Sequence, residues 1–280
     1  MPRIRSATNS VQKACRVLCA LGDPSSRKLK DIAAATGIDK ASILRVMNDL
    51  IKEGLVHRNS ATKSYGYGVE LYAILASLRA STNLRALTRP SLVRLAALTG
   101  DSVMLMVRSG KEAICLDREN GDFPVQAGGV DVGSRRPLAS GSGSLALIAW
   151  LAKDEAEALL MHVKPNIARR YPRLPIAVLR NEIKLSRERG YTLLANTVVD
   201  HIAAIARPIF GPAGETLGSL CVSGLSKRII PREKMLAKVL AEEVAVVEGA
   251  MRLDGDERPA APVQRRACGR VGELWLRPRA

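Results

Sequence analysis

Apolar residues recur every three or four positions between residues 11 and 21. Val11, Cys15, Leu18 and Cys19 form a stripe that Ala14 and Leu21 extend, which predicts an amphipathic helix with both cysteines packed as small hydrophobes. The turn cluster Gly22-Asp23-Pro24-Ser25-Ser26 follows. A short helix is expected at about 28–35, broken at Thr36-Gly37-Ile38, and another at about 40–53, with Asp39 as its N-cap and Gly54 at its end. Short strands at 55–58 and 65–69 flank a polar tip, Asn59 to Ser64. Helical spacing resumes at Glu70 through Leu71, Ile74, Leu75 and Leu78, weakens at 81–84, and returns over about 84–99.

Beyond residue 100 the chain turns to runs of strand length. Residues 102–108 and 112–118 bracket Ser109-Gly110-Lys111, and residues 202–210 and 217–224 bracket Gly211-Pro212-Ala213-Gly214, so two hairpins are expected, with a further strand near 191–194. Residues 121–134 are Gly-rich and irregular, with short strand candidates. Helices are expected at 142–152, 154–162 and 176–189, and at 232–251 through Met235, Leu236, Val239, Leu240, Val244 and Val247. An antiparallel sheet flanked by helices puts this half in the α+β class.

Residues 29–50 meet the steric demands of a helix-turn-helix. Ala33 is small where two helices cross, Gly37 sits four residues later in a turn that needs positive φ, and Ile32, Ile38, Ile43 and Val46 are apolar where the helices pack. The strands at 55–69 then form a wing. The second helix carries a polar face of Lys40, Ser42, Arg45 and Asn48, with Ala41 and Leu44 alongside. Arg45 suits a guanine and Asn48 an adenine, while Lys40 and Ser42 suit phosphates. Arg58 and Lys63, on and near the wing, suit phosphate or minor-groove contacts, and His57 is read as packing the wing. Charge supports a polyanionic partner: 43 Lys and Arg oppose 27 Asp and Glu, a net +16, and residues 1–69 alone carry 12 against 5.

Other classes drop out. Five cysteines without a C-x-x-C pair, and three scattered histidines, encode neither a metal site nor a disulfide framework. The first ten residues lack an apolar signal region and Pro137–Ala152 is too short to span a bilayer, so a cytoplasmic, reduced protein with no membrane partner is expected. There is no Walker pattern, and the G-x-G-x-x-A of Gly141, Gly143 and Ala146 lacks the acid that a dinucleotide fingerprint requires, so no cofactor is expected. No catalytic set emerges; Cys221 with His201 is the one imaginable pair. Residues 137–146, however, run from a Gly/Ser turn into an apolar helix, and the free N–H groups there, around Ser140, Gly141 and Ser142, suit a carboxylate.

The segment GIDKASILRVMNDLIKEGLVHRNSATKSYGYGVEL resembles the winged helix of the IclR-type transcriptional regulators. AICLDRENGDFP, VGSRRPLASGSGSLALIAWL and RERGYTLLANTVVDHIAAIARPIFGPAGETLGSLCVSGLSKRI follow in the order and spacing of that family's effector-binding domain. The resemblance covers about residues 9–251. It implies a winged helix-turn-helix, a linker helix, a GAF-like effector domain, and dimers through the DNA-binding domains, often paired into tetramers. It implies that Ser140, Gly141 and Ser142 contact an effector's carboxylate, and that Leu194, Ala204, Cys221 and Ser223 supply the other walls. His201 is added as a hydrogen-bonding candidate. The chain departs from the family in the wing, Lys63-Ser64-Tyr65-Gly66-Tyr67, at Leu44, where His or Tyr is frequent, at His201, near a place where Gly is common, and at Cys221, where some members have Ser. Leu194 stands where some members place an Asp, which suggests a less polar ligand such as an aromatic acid.

The expected organisation is a disordered arm (1–8), a DNA-binding domain (9–69), a linker helix (70–82), an effector domain (83–251) and a disordered basic tail (252–280). The expected function is a sequence-specific regulator that binds double-stranded operator DNA and is modulated by a small carboxylate. The alternative is a constitutive DNA binder whose C-terminal domain only oligomerises.

Overall fold

The computed structural model describes residues 9–23, 25–76, 84–126 and 130–256; the arm and most of the tail lie outside these. Three helices, α1 (Ser10–Leu21), α2 (Leu29–Thr36) and α3 (Lys40–Lys52), are followed by the hairpin β1 (Val56–Arg58) and β2 (Tyr65–Tyr67). Local chemistry sets the helix starts. Asn9 and Gln12 form a reciprocal capping box on α1, and the Asp39 carboxylate accepts from the Ser42 N–H at 2.8 Å to begin α3. Gly37 passes the chain from α2 to α3 at φ 68°, a left-handed conformation that favours glycine. Val17, Leu21, Ile32, Ile43 and Met47 form the small core beneath them.

The apolar stripe of α1 is rotated from its expected position. Val17 and Leu21 are buried, with Ala14 and Leu18 beside them, whereas Val11, Cys15 and Cys19 are exposed. The helix turns its larger aliphatic groups onto α3, because these bury more apolar area than thiols do.

Helix α4 (Val69–Ala76) takes up the first part of the expected linker; residues 77–83 lie outside the description. The second unit is a six-stranded antiparallel sheet in the order β5-β4-β3-β8-β7-β6, comprising β3 (Ser102–Ser109), β4 (Glu112–Glu119), β5 (Arg135–Pro137), β6 (Thr192–Ala195), β7 (Ile202–Phe210) and β8 (Thr216–Leu225). Strand alternation divides its side chains. Val103, Leu105, Ile205, Leu220 and Val222 face α5 (Leu84–Thr99) and α10 (Glu233–Asp256). Met104, Met106, Ala206 and Cys221 face α6 (Ser142–Ala149), behind which lie α7 (Lys153–Arg170) and α8 (Ile176–Arg189). The α6 face of β7 and β8 is built from small residues, so α6 approaches closely. A Cβ on Gly143 would fall 2.8 Å from Met106 Cγ and 3.1 Å from Cys221 Cβ.

Four element expectations need correction. Among the described residues of 121–134 there is no strand; the edge strand is Arg135–Pro137. Helix α6 ends at Ala149 rather than 152. Helix α7 continues through Pro165 to Arg170, because Pro165 and Met161, whose carbonyl the missing N–H would have bonded, both lie on the exposed side where water substitutes. Finally, α10 runs to Asp256, so 252–256 are helical rather than part of the tail.

Candidate DNA interface and ligand cavity

Helix α3 presents Lys40, Ala41, Leu44, Arg45 and Asn48 on one exposed face. Ser42 is not on it. Its side chain is 7% exposed and its hydroxyl lies 3.4 Å from Lys13 Nζ, between α1 and α3. Ser42 lines a surface hollow with Lys13, Arg45 and Asp49 rather than standing on the open face. Lys13, which the sequence pattern did not single out, joins Lys40 as a cation at that end of the helix. Arg58 is exposed on β1, with its guanidinium 5.8 Å from the Tyr65 ring, and Lys63 forms the wing turn at φ 54°. His57 Nδ1 lies 3.0 Å from the Tyr67 carbonyl oxygen, across the wing.

In the second unit, a cavity of about 70 Å3 opens between the start of α6 and the turn that links β6 to β7. It gathers Gly141, Ser142, Leu194, Ala204 and Ser223 from four separate parts of the chain. The N-cap residue, Gly141, has no side chain to cap α6, so the helix start is left open at Ser142, while the Gly143 N–H is turned to the Cys221 sulfur. Arg136 closes the cavity beside the helix start, with Nη1 3.7 Å from where a Gly141 Cβ would stand. The Thr197 hydroxyl oxygen is buried in the lining and has no hydrogen-bond partner. Positive charge, an open helix start and an orphaned hydroxyl converge within aliphatic walls that include Val198 and Ile202.

The remaining expected wall residues lie elsewhere. Ser140 is fully buried and its hydroxyl donates to the Pro137 carbonyl at 2.7 Å, closing its own turn. Cys221 sits beneath α6 against Gly143, and burial pushes its thiol up to about 12. His201 faces a different hollow with Leu225, Ser226 and Lys227. Its backbone is left-handed at φ 60°, and it is not among the residues that line the α6 cavity. The imagined Cys221–His201 pair is therefore not assembled. Ser142 lines the cavity, but its hydroxyl already donates to the Ala204 carbonyl and accepts from the Leu194 N–H at 2.8 Å.

Sequence comparison decides the family. The family model described as the IclR helix-turn-helix domain matches residues 10–60, and the one described as bacterial transcriptional regulator IclR C-terminal matches residues 76–247. The chain belongs to the IclR family of transcriptional regulators. This IclR-type regulator is 23% identical over 225 residues to the HTH-type transcriptional regulator KipR of Bacillus subtilis, covering 80% of this chain and 89% of KipR. It is 24% identical over 205 residues to the transcriptional repressor AllR of Escherichia coli, covering 73% and 75% of the two chains. Its fold matches an IclR homologue of Microbacterium hydrocarbonoxydans complexed with 4-hydroxybenzoate, with a TM-score of 0.73 and 19% identity, covering 88% of this chain and all of the other. A regulator from Silicibacter matches with a TM-score of 0.74 and 22% identity, covering 87% and 96%. The protein is a transcriptional regulator with a helix-turn-helix DNA-binding domain. Among its described residues no helix is long and apolar enough to cross a membrane.

Two polar residues of the cavity, Arg136 and Thr197, escaped the sequence reading. Arg136 is adjacent to the Gly/Ser turn, and strand alternation required one of Arg135 and Arg136 to face inward; that was the available signal. Thr197 had none, because its orphaned hydroxyl exists only once the turn folds over β7.

Proposed function

We propose that this regulator binds its operator through the exposed face of α3 and that a small carboxylate in the α6 cavity sets its DNA affinity. The carrying observation is the convergence on one cavity of the open start of α6, Arg136 and the unpartnered Thr197 hydroxyl. The carboxylate accepts from the amides of the Gly141–Ser142 turn and from Arg136, and a second polar group of the ligand satisfies Thr197. Leu194, Ala204 and Ser223 bound the remaining space. The closed cavity suits a short oxo- or hydroxy-acid. An aromatic acid needs the β6–β7 turn to withdraw, although the 4-hydroxybenzoate held by the Microbacterium relative keeps that class in the test.

On the DNA side, Arg45 and Asn48 are the base readers, with Lys40, Arg58 and Lys63 on phosphates and Ala41 and Leu44 making apolar contacts. The domain limits 9–69, 70–82 and 83–251 serve as working boundaries. Dimerisation is supported by α4, whose Val69, Tyr72 and Leu75 are 72%, 69% and 60% exposed. Two-fold pairing sets two copies of α3 about 34 Å apart, one helical turn of DNA, so small changes in that spacing alter affinity.

Fluorescence anisotropy with the DNA upstream of the protein's own gene, against a scrambled duplex at about 150 mM salt, tests the reading. A preference of about 10³-fold or more is expected. Arg45→Ala should lose about 1–3 kcal/mol on the specific duplex alone. Equal loss on both duplexes makes Arg45 a phosphate contact. A panel of carboxylic acids, followed by thermal shift and by DNA release, should yield stabilisers whose effect disappears in Arg136→Ala. If no acid changes DNA affinity, the constitutive alternative stands instead.

A further inference from the structure

A larger cleft, about 760 Å3, lies between the winged-helix unit and the effector domain. One wall is α1, with Cys15, Arg16 and Cys19; the other is the β4–β5 edge, with Glu112, Ser134 and Arg135. The two cysteines that rotated out of the α1 core face this space. Cys19 Sγ accepts from the Arg135 guanidinium at 3.7 Å, and Arg135 also pairs with Glu112 at 3.1 Å. The Ser134 hydroxyl is buried there without a partner. The other acidic groups on the walls are engaged: Asp131 with Arg118, and Asp23 with the Ser25 N–H and hydroxyl.

The described cysteines thus fall into two chemical classes. Cys115 and Cys221 are buried, and burial pushes their thiols up to about 11 and about 12, which makes them unreactive at neutral pH. Cys15 and Cys19 are open to solvent, one helical turn apart.

We propose that Cys19 is a modification site for an anionic low-molecular-weight disulfide of the glutathione type. The Cys19 sulfur, after losing its proton to water, attacks one sulfur of the disulfide. A Cys19–S–S–R bond forms, the R–S–S–R bond breaks, and R–S⁻ departs and takes up a proton. Arg16, and Arg135 at 3.7 Å from the sulfur, receive the carboxylates of R, and Ser134 offers a hydrogen bond. Cys15 does not resolve the adduct. Residues i and i+4 of a helix hold their Cβ atoms about 5–6 Å apart, whereas a disulfide needs about 3.5–4.5 Å, so the mixed disulfide persists until an external thiol removes it.

The site is placed to matter. An adduct on Cys19 displaces Arg135 from the sulfur. Arg135 and Arg136 are neighbours on β5 and project to opposite sides, one into this cleft and one into the ligand cavity. Thiol state at α1 and ligand occupancy under α6 therefore act on the same three-residue strand. The effect on DNA rests on the regulator reading above; the adduct itself does not.

The test uses the full chain carrying Cys268→Ser, which removes the cysteine outside the described residues. After exposure to glutathione disulfide, peptide mapping should find the adduct on Cys19. It should persist in Cys15→Ser, disappear in Cys19→Ser, and form several-fold more slowly in Arg135→Ala. Equal or faster labelling of Cys15, or a Cys15–Cys19 disulfide as the main product, overturns the proposal. Anisotropy on the upstream duplex should then show a several-fold change in affinity on modification that Cys19→Ser abolishes and dithiothreitol reverses. Unchanged affinity of the fully modified protein overturns the regulatory half. If the unmodified protein already fails to prefer that duplex, the regulator reading is what fails, and the adduct map still decides the site.

Discussion

The Ser142 hydroxyl donates to the Ala204 carbonyl and accepts from the Leu194 N–H, joining α6 to β6 and β7 at one buried point. The sequence marked Ser142 as an effector contact, a reading that treats the hydroxyl as free. In the folded chain it is spent on structure, so position 142 has only its backbone N–H to offer a ligand. Ser142→Ala should destabilise the protein by about 1–3 kcal/mol in urea unfolding without any effector present, because the Leu194 N–H is left buried without its acceptor. A variant of unchanged stability would return the hydroxyl to the ligand. Leu194 likewise contributes its side chain to the cavity and its amide to the scaffold. Arg136 was passed over because no strand was expected at 135–137, so nothing separated it from Arg135; its value comes from facing the start of α6, which strand pairing with Ala113 decides.

Helix α7 illustrates how context overrides local propensity. The helical period was read only as far as residue 162, yet eighteen residues run unbroken from Lys153 through Pro165 to Arg170. Burial of Leu159, Leu160, Val163 and Ile167 along one stripe outweighs the loss of one exposed hydrogen bond. Pro165→Ala should raise stability by about 2 kcal/mol, the roughly 3 kcal/mol helix penalty of proline less up to about 1 kcal/mol of unfolded-chain entropy. Urea denaturation measures it, and a destabilised variant would show that the proline ring is packed. Helix α1 teaches the complementary lesson. Its period was legible, but its rotation was not, because cysteine and valine count alike as apolar until α3 supplies a surface that prefers the larger group. The hairpins were read correctly, since Gly110 at φ 61° and Gly214 at φ 82° sit where the turns require positive φ.

At the scale of the whole molecule, α4 leaves Val69, Tyr72 and Leu75 exposed on the segment that joins the two units. Apolar side chains so placed suit a second copy of the chain. Tyr72→Glu should weaken dimerisation by tenfold or more, about 1.4 kcal/mol, in sedimentation at micromolar concentration, with circular dichroism unchanged. An unaltered dimer would place the interface elsewhere. The sequence alone determined what depends on neighbours along the chain: helix and strand periods, the Gly37 turn, the Asp39 cap, the basic winged helix, and the family to which these motifs belong. Tertiary structure alone decided which of those residues meet. It buried Ser42 and Cys221, left His201 outside the cavity, brought Thr197 and Arg136 to the start of α6, and set Cys19 against Arg135. The physical reason is that propensity and capping are local energies, whereas cavities, orphaned hydroxyls and cross-domain contacts arise from groups more than a hundred residues apart in some pairs, Cys19 and Arg135 among them. Those pairings follow from sheet order and helix rotation, which packing fixes only when the whole chain is present.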